Sequence, residues 1–342
     1  MPFSNRLAAP AVLGVFLAGC AAKTPAKAGN VAAVTPASGM ARVEKVREPL
    51  EVTPLELHFS GVRGSSKADE SVRVKNAGNE AVQISEIRVV GTEASTFEIL
   101  QTSMMPVILQ PGRSFSFSVG FAPKADAAPG VHHARVRILL PGDDDGPPCD
   151  LTGLVARGAS AADEPSLQQI LEALGYDVDV GSKALKLPAH PSPIGDEIKA
   201  PIFKRAKPGT VGYYLIARYT ADEASSFGYY AAKEGRIHPR PIGSAATGHN
   251  QTLNPELEGD SQTSFEPGEA SFGLYLKVGK QTLYSEDNRN GPGRLHVAKV
   301  FPLHSRGRTA VQDAYVVAFD EDGDRDFQDH VFMLWNVTPA KR

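Results

Sequence analysis

The segment 319–332, FDEDGDRDFQDHVF, holds five aspartates within ten residues. Ionised carboxylates at this spacing repel one another, so water must screen them, a cation must neutralise them, or they take part in acid–base chemistry. Hard cations such as Ca²⁺ bind about six to eight oxygen atoms, which clustered carboxylates and backbone carbonyls supply. We therefore predict a calcium site whose candidate ligands are Asp320, Asp322, Asp324, Asp326 and Asp329.

The spacing of these aspartates is similar to the start of an EF-hand loop, but the segment departs from that loop at two decisive positions. Arg325 occupies the sixth position, where a glycine is needed, and Val331 occupies the twelfth, where a bidentate glutamate belongs. The flanking residues alternate as strands do. The segment is therefore not an EF-hand, and we expect a calcium-binding turn between strands, with Gly323 making the bend.

The aspartates could instead be neutralised by basic side chains of the chain itself. Arg325 lies inside the segment, and Arg289 belongs to a second acidic stretch, SEDNRN at 285–290. Either guanidinium could form ion pairs with nearby carboxylates. The second stretch also contains Asp287 ahead of a predicted strand, which makes Asp287 a weaker candidate calcium ligand.

Paired carboxylates also hydrolyse glycosides when a cleft holds them about 5–10 Å apart with different pKa values. Asp324, Asp326 or Asp329 would serve in such a carbohydrate-active enzyme, or in its accessory carbohydrate-binding module. Sequence proximity indicates neither a cleft nor separated pKa values. The chain also lacks G-x-S-x-G, H-E-x-x-H and Gly-rich phosphate-binding motifs. We predict no catalytic residues and keep the enzyme as the alternative.

The overall composition narrows the classes of partner. A formal net charge of −3, with no basic stripe between aromatic residues, argues against nucleic acid as a partner. The two cysteines are Cys20 and Cys149. Because Cys149 lies in the strand-like run CDLTGLV, we expect it to be a small buried apolar residue.

Residues 1–20, MPFSNRLAAPAVLGVFLAGC, place Arg6 before an apolar stretch that is too short to span a bilayer stably. The sequence LAGC at 17–20 resembles the lipobox of bacterial lipoproteins. The resemblance implies a signal peptide at 1–19 and a lipidated Cys20 that anchors the chain in a membrane. The residue after the cysteine is alanine, not the aspartate that often marks inner-membrane retention, so we expect the outer membrane if the bacterium has one.

Residues 49–157 alternate apolar and polar side chains in short runs between turn residues. In SFSFSVGFAP, for example, Phe115, Phe117 and Val119 share one face of a predicted strand, and serines and a glycine share the other. This period of two predicts antiparallel strands packed as a β-sandwich of about a hundred residues.

Several landmarks of this segment carry a family resemblance. The sequences NAG at 76–78, FAP at 121–123 and LTG at 151–153 resemble the abnormal-spindle/Hydin type of immunoglobulin-like domain, the choice-of-anchor D group of bacterial surface proteins. The resemblance implies a seven-stranded sandwich used for spacing or protein contact, without a catalytic residue set.

Residues 158–182 are predicted to form a linker and one short helix. Ser166 is placed to cap the helix and Gly175 to end it. The apolar residues recur at helical spacing, which predicts a stripe that packs on the second domain; they are Leu167, Ile170, Leu171 and Leu174.

Residues 183–342 return to strand-like runs such as TVGYYLIARYT, SFGLYLKVG and AYVVAFD, separated by long loops. This pattern predicts a second sandwich, jelly-roll-like or immunoglobulin-like. The sequence GDRDF at 323–327 is similar to the acidic hairpin, of GDRDFND type, of a domain-of-unknown-function family in bacterial surface and secreted proteins. That family is suspected of binding calcium or sugar. Here Gln328 replaces the usual asparagine and His330 interrupts the apolar pattern, which puts one possible ligand in doubt.

These observations predict a mainly β protein with two β-sandwich domains. The expected divisions are a signal peptide, a lipidated cysteine with a disordered tether, an immunoglobulin-like domain, a linker with one helix, and an acidic-hairpin sandwich, at 1–19, 20–48, 49–157, 158–182 and 183–342. The predicted function is a non-catalytic binding, adhesion or structural role in the cell envelope. The expected partners are a membrane through the lipid, and an envelope protein or polysaccharide.

Overall fold

The computed structural model of the protein describes residues 49–65, 68–101, 105–142, 145–188, 193–233, 235 and 237–341. The predicted signal peptide, Cys20 and the predicted tether lie outside the described residues. None of the helices in the described stretches combines the length and apolar character that crossing a bilayer requires.

The first domain is built from ten strands: β1 (Leu50–Thr53), β2 (Glu56–Val62), β3 (Ala68–Asn76), β4 (Val82–Ile84), β5 (Glu86–Val90), β6 (Phe97–Gln101), β7 (Val107–Leu109), β8 (Ser114–Phe121), β9 (Gly130–Leu139) and β10 (Cys149–Ala156). They form two four-stranded sheets, in the orders β1-β3-β8-β6 and β2-β10-β9-β5, and a separate β4-β7 pair. A short 3₁₀ helix, Ala94–Thr96, precedes β6. The predicted β-sandwich is confirmed, with three strands more than the resemblance implied.

The core of the first sandwich follows the period-two pattern. Phe117, Val119 and Phe121 of β8 are each at most 2% exposed and pack between the two sheets. The LTG landmark contributes Gly153 of β10, where a Cβ atom would lie 2.1 Å from Cε2 of Phe121. Only glycine fits at this contact. Cys149 is buried in the same core, as expected.

One α-helix, α1 (Leu167–Ala173), follows the first sandwich. The Ser166 hydroxyl accepts from the backbone N–H of Gln169, and the Gln169 side chain accepts from the Ser166 N–H, which completes a capping box. Gly175 follows with a φ of 78°, the left-handed conformation that ends helices. The predicted start and end of the helix are confirmed. A 3₁₀ helix, Ala161–Asp163, precedes α1 in the linker.

The second domain contains twelve strands: β11 (Phe203–Arg205), β12 (Val211–Arg218), β13 (Ser225–Ala231), β14 (Arg240–Ala245), β15 (Thr252–Leu253), β16 (Ser264–Phe265), β17 (Phe272–Val278), β18 (Gln281–Tyr284), β19 (Ala298–Ser305), β20 (Thr309–Phe319), β21 (His330–Trp335) and β22 (Val337–Pro339). One six-stranded sheet has the order β14-β13-β17-β11-β22, with β18 beside β17. The other has the order β15-β12-β21-β20-β19, with β16 beside β12. A 3₁₀ helix, Asp287–Arg289, follows β18.

Aromatic rings fill the space between these two sheets. The ring centroids of Tyr213 and Phe332 are 4.5 Å apart, and those of Phe227 and Phe332 are 5.0 Å apart. Tyr213 and Phe227 are fully buried. The tyrosine-rich runs of β12 and β13 are therefore core, and the second sandwich is confirmed.

Helix α1 covers the outer face of the β15-β12-β21-β20-β19 sheet. Its apolar stripe, including Ile170 and Leu171, packs against β19 and β20, and Leu154 of β10 joins the same cluster. The ring of His58 in β2 donates from Nδ1 to the Ala173 carbonyl over 2.8 Å. Helix α1 therefore shares a buried cluster with the second sandwich, as predicted, and also packs on β9 and β10 of the first.

Candidate metal centre

The five predicted aspartates lie in one loop, residues 320–329, which we call the acidic turn. It joins β20 to β21, whose register pairs Phe319 with His330, so the turn closes this hairpin. Gly323 has a φ of 85°, Arg325 of 75° and Phe327 of 58°. The predicted bend at Gly323 is confirmed.

Backbone N–H groups of the turn hold its carboxylates in place. Asp320 accepts from Gly323 N through Oδ1 at 2.8 Å and from Arg325 N through Oδ2 at 3.0 Å. Asp329 Oδ2 accepts from Glu321 N at 2.6 Å. These bonds fix the carboxylates of Asp320 and Asp329 at opposite ends of the turn in the orientations that bring them together.

The carboxylates form two overlapping groups, the only groups of potential metal ligands with three or more members found in the described part of the chain. We call Asp320, Asp326 and Asp329 the inner group, and Asp320, Asp322 and Asp324 the outer group. Within each group, one oxygen of every carboxylate lies within 4.8 Å of the others. The inner residues are all buried, whereas Asp322 is exposed. The sequence-predicted ligands are thus brought together, with Asp320 shared.

Burial makes the ionised form of the inner group unfavourable. It raises the pKa of Asp329 to about 10, with further contributions from the charges of Asp326 and Glu321. It also raises the pKa of Asp326 to about 8, helped by Asp324 and Asp320. Burial also raises the pKa of Asp320, although the two backbone hydrogen bonds to its carboxylate act to lower it. Without a cation, the inner group therefore holds protons at neutral pH; a divalent ion would replace them.

The basic side chain that contacts the turn is neither of the two arginines considered from the sequence. Arg325 is exposed, and its guanidinium makes no ion pair within the described stretches. Arg289 lies 3.6 Å from Glu286 Oε2, within its own acidic stretch. Neither arginine neutralises the aspartates. Lys186 does contact the turn, with Nζ 2.6 Å from Asp324 Oδ2.

The Lys186 contact separates the outer group from the inner one electrostatically. Burial opposes ionisation of Asp324, but the hydrogen bond and charge of Lys186 outweigh it, so the pKa of Asp324 lies below its ordinary value. Asp324 is therefore ionised at neutral pH, in contrast to Asp326 and Asp329.

Asp287, the weaker candidate, belongs to neither carboxylate group. Its Oδ1 accepts from the backbone N–H of His296 at 2.7 Å, and its Oδ2 lies 2.8 Å from Nδ1 of the same residue. Asp287 therefore holds the loop before β19 and is not placed with the predicted ligands.

Gln328 contributes an unsatisfied oxygen beside the inner group. The side chain is fully buried, and Nε2 donates to Asp326 Oδ2 at 3.2 Å and to Glu164 Oε2 at 2.8 Å. Its Oε1 has no hydrogen-bond partner among the described residues. A neutral amide oxygen is a ligand that Ca²⁺ accepts, although here it is the amide nitrogen that contacts Asp326.

A buried polar series next to the turn was not predicted from the sequence. The Ser225 hydroxyl lies 2.9 Å from Nε2 of His330, and Nδ1 of His330 lies 3.4 Å from Glu321 Oε2. Burial and the charge of Arg218 lower the pKa of His330 to about 3, so its ring is neutral. The only sequence signal was His330 itself, a polar residue where the strand pattern calls for an apolar one.

The order hydroxyl, imidazole, carboxylate is that of a serine-hydrolase triad. Here Ser225 is 3% exposed and His330 fully buried, between the sheets of the sandwich. Two surface depressions of about 410 and 210 Å³ lie elsewhere, and neither is lined by this series or by the acidic turn. The series therefore lies inside the core, and His330 Nδ1 and Glu321 Oε2 have no hydrogen-bond partner among the described residues.

The similarities of this chain to known proteins are distant. No protein-family profile and no curated protein sequence matches the chain. The secreted serine protease VesC from Vibrio cholerae is 10% identical, covering 86% of this chain and 51% of that chain, with a TM-score of 0.28. A protein of unknown function from Porphyromonas gingivalis W83 is 10% identical, covering 67% of this chain and 83% of that chain, with a TM-score of 0.26.

The PapD-like domain 7 of human CEP192 is 14% identical and covers 36% of this chain and 99% of that chain, with a TM-score of 0.24. At these identities and TM-scores, none of the three similarities carries a statement about activity, ligand or partner.

Proposed function

We propose that this protein is a non-catalytic, lipid-anchored component of the bacterial cell envelope, in which a calcium ion stabilises the second sandwich at the acidic turn. The observation that carries the calcium proposal is the inner group. Asp320, Asp326 and Asp329 are buried together, and no basic side chain in the described stretches forms an ion pair with any of them.

The donor set of the turn favours Ca²⁺ over other common metals. The two groups offer carboxylate oxygens, Gln328 adds an amide oxygen, and neither group contains a cysteine or histidine. Zinc prefers nitrogen and sulfur ligands, and Mg²⁺ demands a near-ideal octahedron with several waters. A loop rich in oxygen atoms at irregular angles suits the larger and more adaptable calcium ion.

A bound cation would act as a structural element of the hairpin. The acidic turn links β20 and β21, two adjacent strands of the sheet that α1 covers. Neutralising the inner group would remove the cost of burying its carboxylates and would tie the turn to the sheet. The calcium ion is thus proposed to stabilise the second sandwich, which presents its surface to an envelope protein or polysaccharide.

The resemblances support the envelope part of the proposal. The lipobox-like sequence at 17–20 would give a lipidated Cys20, and 21–48 would connect it to the first sandwich. The first sandwich would act as a spacer, as its choice-of-anchor D resemblance implies. An outer-membrane location follows the residue after Cys20 if the bacterium has such a membrane, and the charge distribution argues against a nucleic-acid partner.

The competing function, glycoside hydrolysis by the aspartates, finds less support. Asp326 is 2% exposed and Asp329 is 4% exposed, so a bound glycan would not reach either carboxylate in this conformation. Acid and base carboxylates act from opposite sides of a glycosidic bond that lies between them. Here their oxygens converge on one another.

Titration calorimetry and thermal unfolding of the chain from residue 21, in chelator and in calcium, test the proposal. At a hundredfold excess over Kd, calcium is expected to add about 2.7 kcal/mol to the free energy of unfolding. The Tm of the second sandwich should rise by roughly 5–10 °C. The double variant Asp326→Asn/Asp329→Asn should lose both the heat of binding and the shift.

Asp260→Asn is the matched control, because Asp260 is exposed in the same domain and belongs to neither carboxylate group. It should keep the calcium response of the wild type. An unchanged Tm in the wild type would remove the calcium proposal. Loss of labelled-lipid incorporation in Cys20→Ser separately tests the anchor.

A further inference from the structure

Lys186 is held beside the acidic turn by its neighbour in the chain. Leu187 is 1% exposed and packs in the cluster between α1 and the second sandwich. The backbone N–H of Leu187 donates to the carbonyl of Arg325 over 2.7 Å. The segment that carries Lys186 is therefore fixed to the turn independently of the lysine side chain.

The lysine ammonium already occupies part of the outer group. Its Nζ lies 2.6 Å from Asp324 Oδ2, and Asp322 and Asp326 contribute further attraction. Asp324 is one of the three outer ligands, so a metal ion that used this oxygen would meet the ammonium. Two cations cannot share a single carboxylate oxygen at hydrogen-bond distance without strong repulsion.

A second observation, outside the carboxylates, indicates that the turn takes a ligand. Gln328 is fully buried, its amide contacts Asp326, and its Oε1 has no partner among the described residues. A buried amide oxygen without a donor costs free energy that a bound cation would offset. The Gln328 side chain lies against the inner group and Lys186 against the outer group.

We propose that Lys186 is an internal competitor of the calcium ion and that calcium binding releases its ammonium from Asp324. This inference rests on the calcium site proposed above and adds Asp324 of the outer group to the ligands of the ion. The side chain of Lys186 is 53% exposed, so the released ammonium enters water without a burial cost. Calcium carries twice the charge and binds several carboxylates at once, which lets it displace a single ammonium. Lys186 thereby sets the calcium concentration at which the turn is occupied.

Acylation of lysines in the full chain, quantified by mass spectrometry in chelator and in saturating calcium chloride, tests the release. An amine that donates to a carboxylate is protected from the reagent, so calcium should raise the acylation of Lys186 about threefold or more. Lys183, an exposed lysine three residues earlier, is the internal control and should change little. The Tm measured on the same samples reports whether calcium binds at all.

Calorimetry of Lys186→Met provides the second measurement. Removal of the competitor should lower the Kd for calcium by about two- to tenfold, a modest factor because exposed ion pairs are weak. Lys183→Met should leave Kd unchanged. A Tm that rises with calcium while Lys186 acylation or the Kd of Lys186→Met stays unchanged would overturn the competitor role and leave the calcium site standing. If calcium changes neither Tm nor acylation, the calcium site itself fails.

Discussion

Each sandwich buries polar side chains at a turn, but the two turns differ in how they compensate the cost of burying them. In the first sandwich, Asn76 is fully buried; Nδ2 donates to the carbonyls of Glu80 and Leu109, and Oδ1 accepts from Gly78 N. All of these partners are neutral and belong to the chain. The acidic turn buries Asp326 and Asp329 with raised pKa values instead.

The turn around Asn76 is self-sufficient, whereas the acidic turn is incomplete without a proton or a cation. A buried amide with all its hydrogen bonds made stabilises the fold under any ionic condition. Buried carboxylates carry a cost that depends on pH and on metal ions. The stability of the first sandwich should therefore be independent of calcium, whereas the stability of the second should increase when calcium binds.

The largest expected effect is at the self-sufficient turn. Asn76→Ala removes the hydrogen bonds to the Glu80 and Leu109 carbonyls and to the Gly78 N–H, and should cost about 3 kcal/mol of unfolding free energy. Chemical denaturation in chelator and in calcium measures it, and the loss should be equal in both. A loss that calcium repairs would mean that the two turns are not independent.

The effect of Asp329→Asn on the free energy of unfolding should have opposite signs in chelator and in calcium. In chelator the neutral amide removes the cost of a buried acid, so the free energy of unfolding should rise by about 2 kcal/mol. In calcium the variant lacks a ligand and should be less stable than the wild type. Denaturation curves in both buffers give the comparison; a variant destabilised equally in both would assign Asp329 a purely structural role.

The pH dependence of Tm is a further test of the difference between the two turns. The folded pKa values of Asp326 and Asp329, about 8 and about 10, lie above those of an unfolded aspartate. Their contribution is fully present below the unfolded value and is lost as pH rises through the folded values. In chelator, Tm should therefore fall between pH 7 and pH 9, whereas the increment caused by calcium should grow because fewer protons compete.

Neighbouring groups do not reverse that direction. Burial also raises the pKa of Asp320, Glu321 and Glu164, so none of these groups opposes the fall of Tm in chelator. His330, with its pKa lowered by burial, loses stability only as the pH drops below its unfolded value, outside this window. A chelated protein whose Tm rises from pH 7 to pH 9 would contradict the assignment.

The smallest expected effect is at Arg325. Its φ of 75° favours glycine, and its exposed side chain makes no ion pair in the described part of the chain. Arg325→Gly should change the free energy of unfolding by less than about 1 kcal/mol, because relief of backbone strain offsets the greater freedom of the unfolded chain. Thermal unfolding in chelator tests this. A large loss would restore the arginine as the partner of the aspartates.

Local patterns in the sequence determined both sandwiches and the acidic turn. Alternation placed Phe117 and Val119 in the first core, Ser166 and Gly175 bounded α1, and Gly323 marked the bend. Each of these signals acts over a few residues, where backbone geometry and side-chain period leave little choice. The family resemblance implied seven strands for the first domain, whereas the structure has ten, among them the short β4-β7 pair.

Only the tertiary structure decided how the aspartates are balanced. Lys186 lies 138 residues from Asp324 along the chain, Glu164 lies 164 residues from Gln328, and Ser225 lies 105 residues from His330. The sequence identified the five candidate carboxylates but did not show which of them are buried. It suggested Arg325 as an ion-pair partner because Arg325 is close to them in the chain. Burial and charge pairing depend on which distant segments pack together, and that packing sets the pKa values on which a cation site depends.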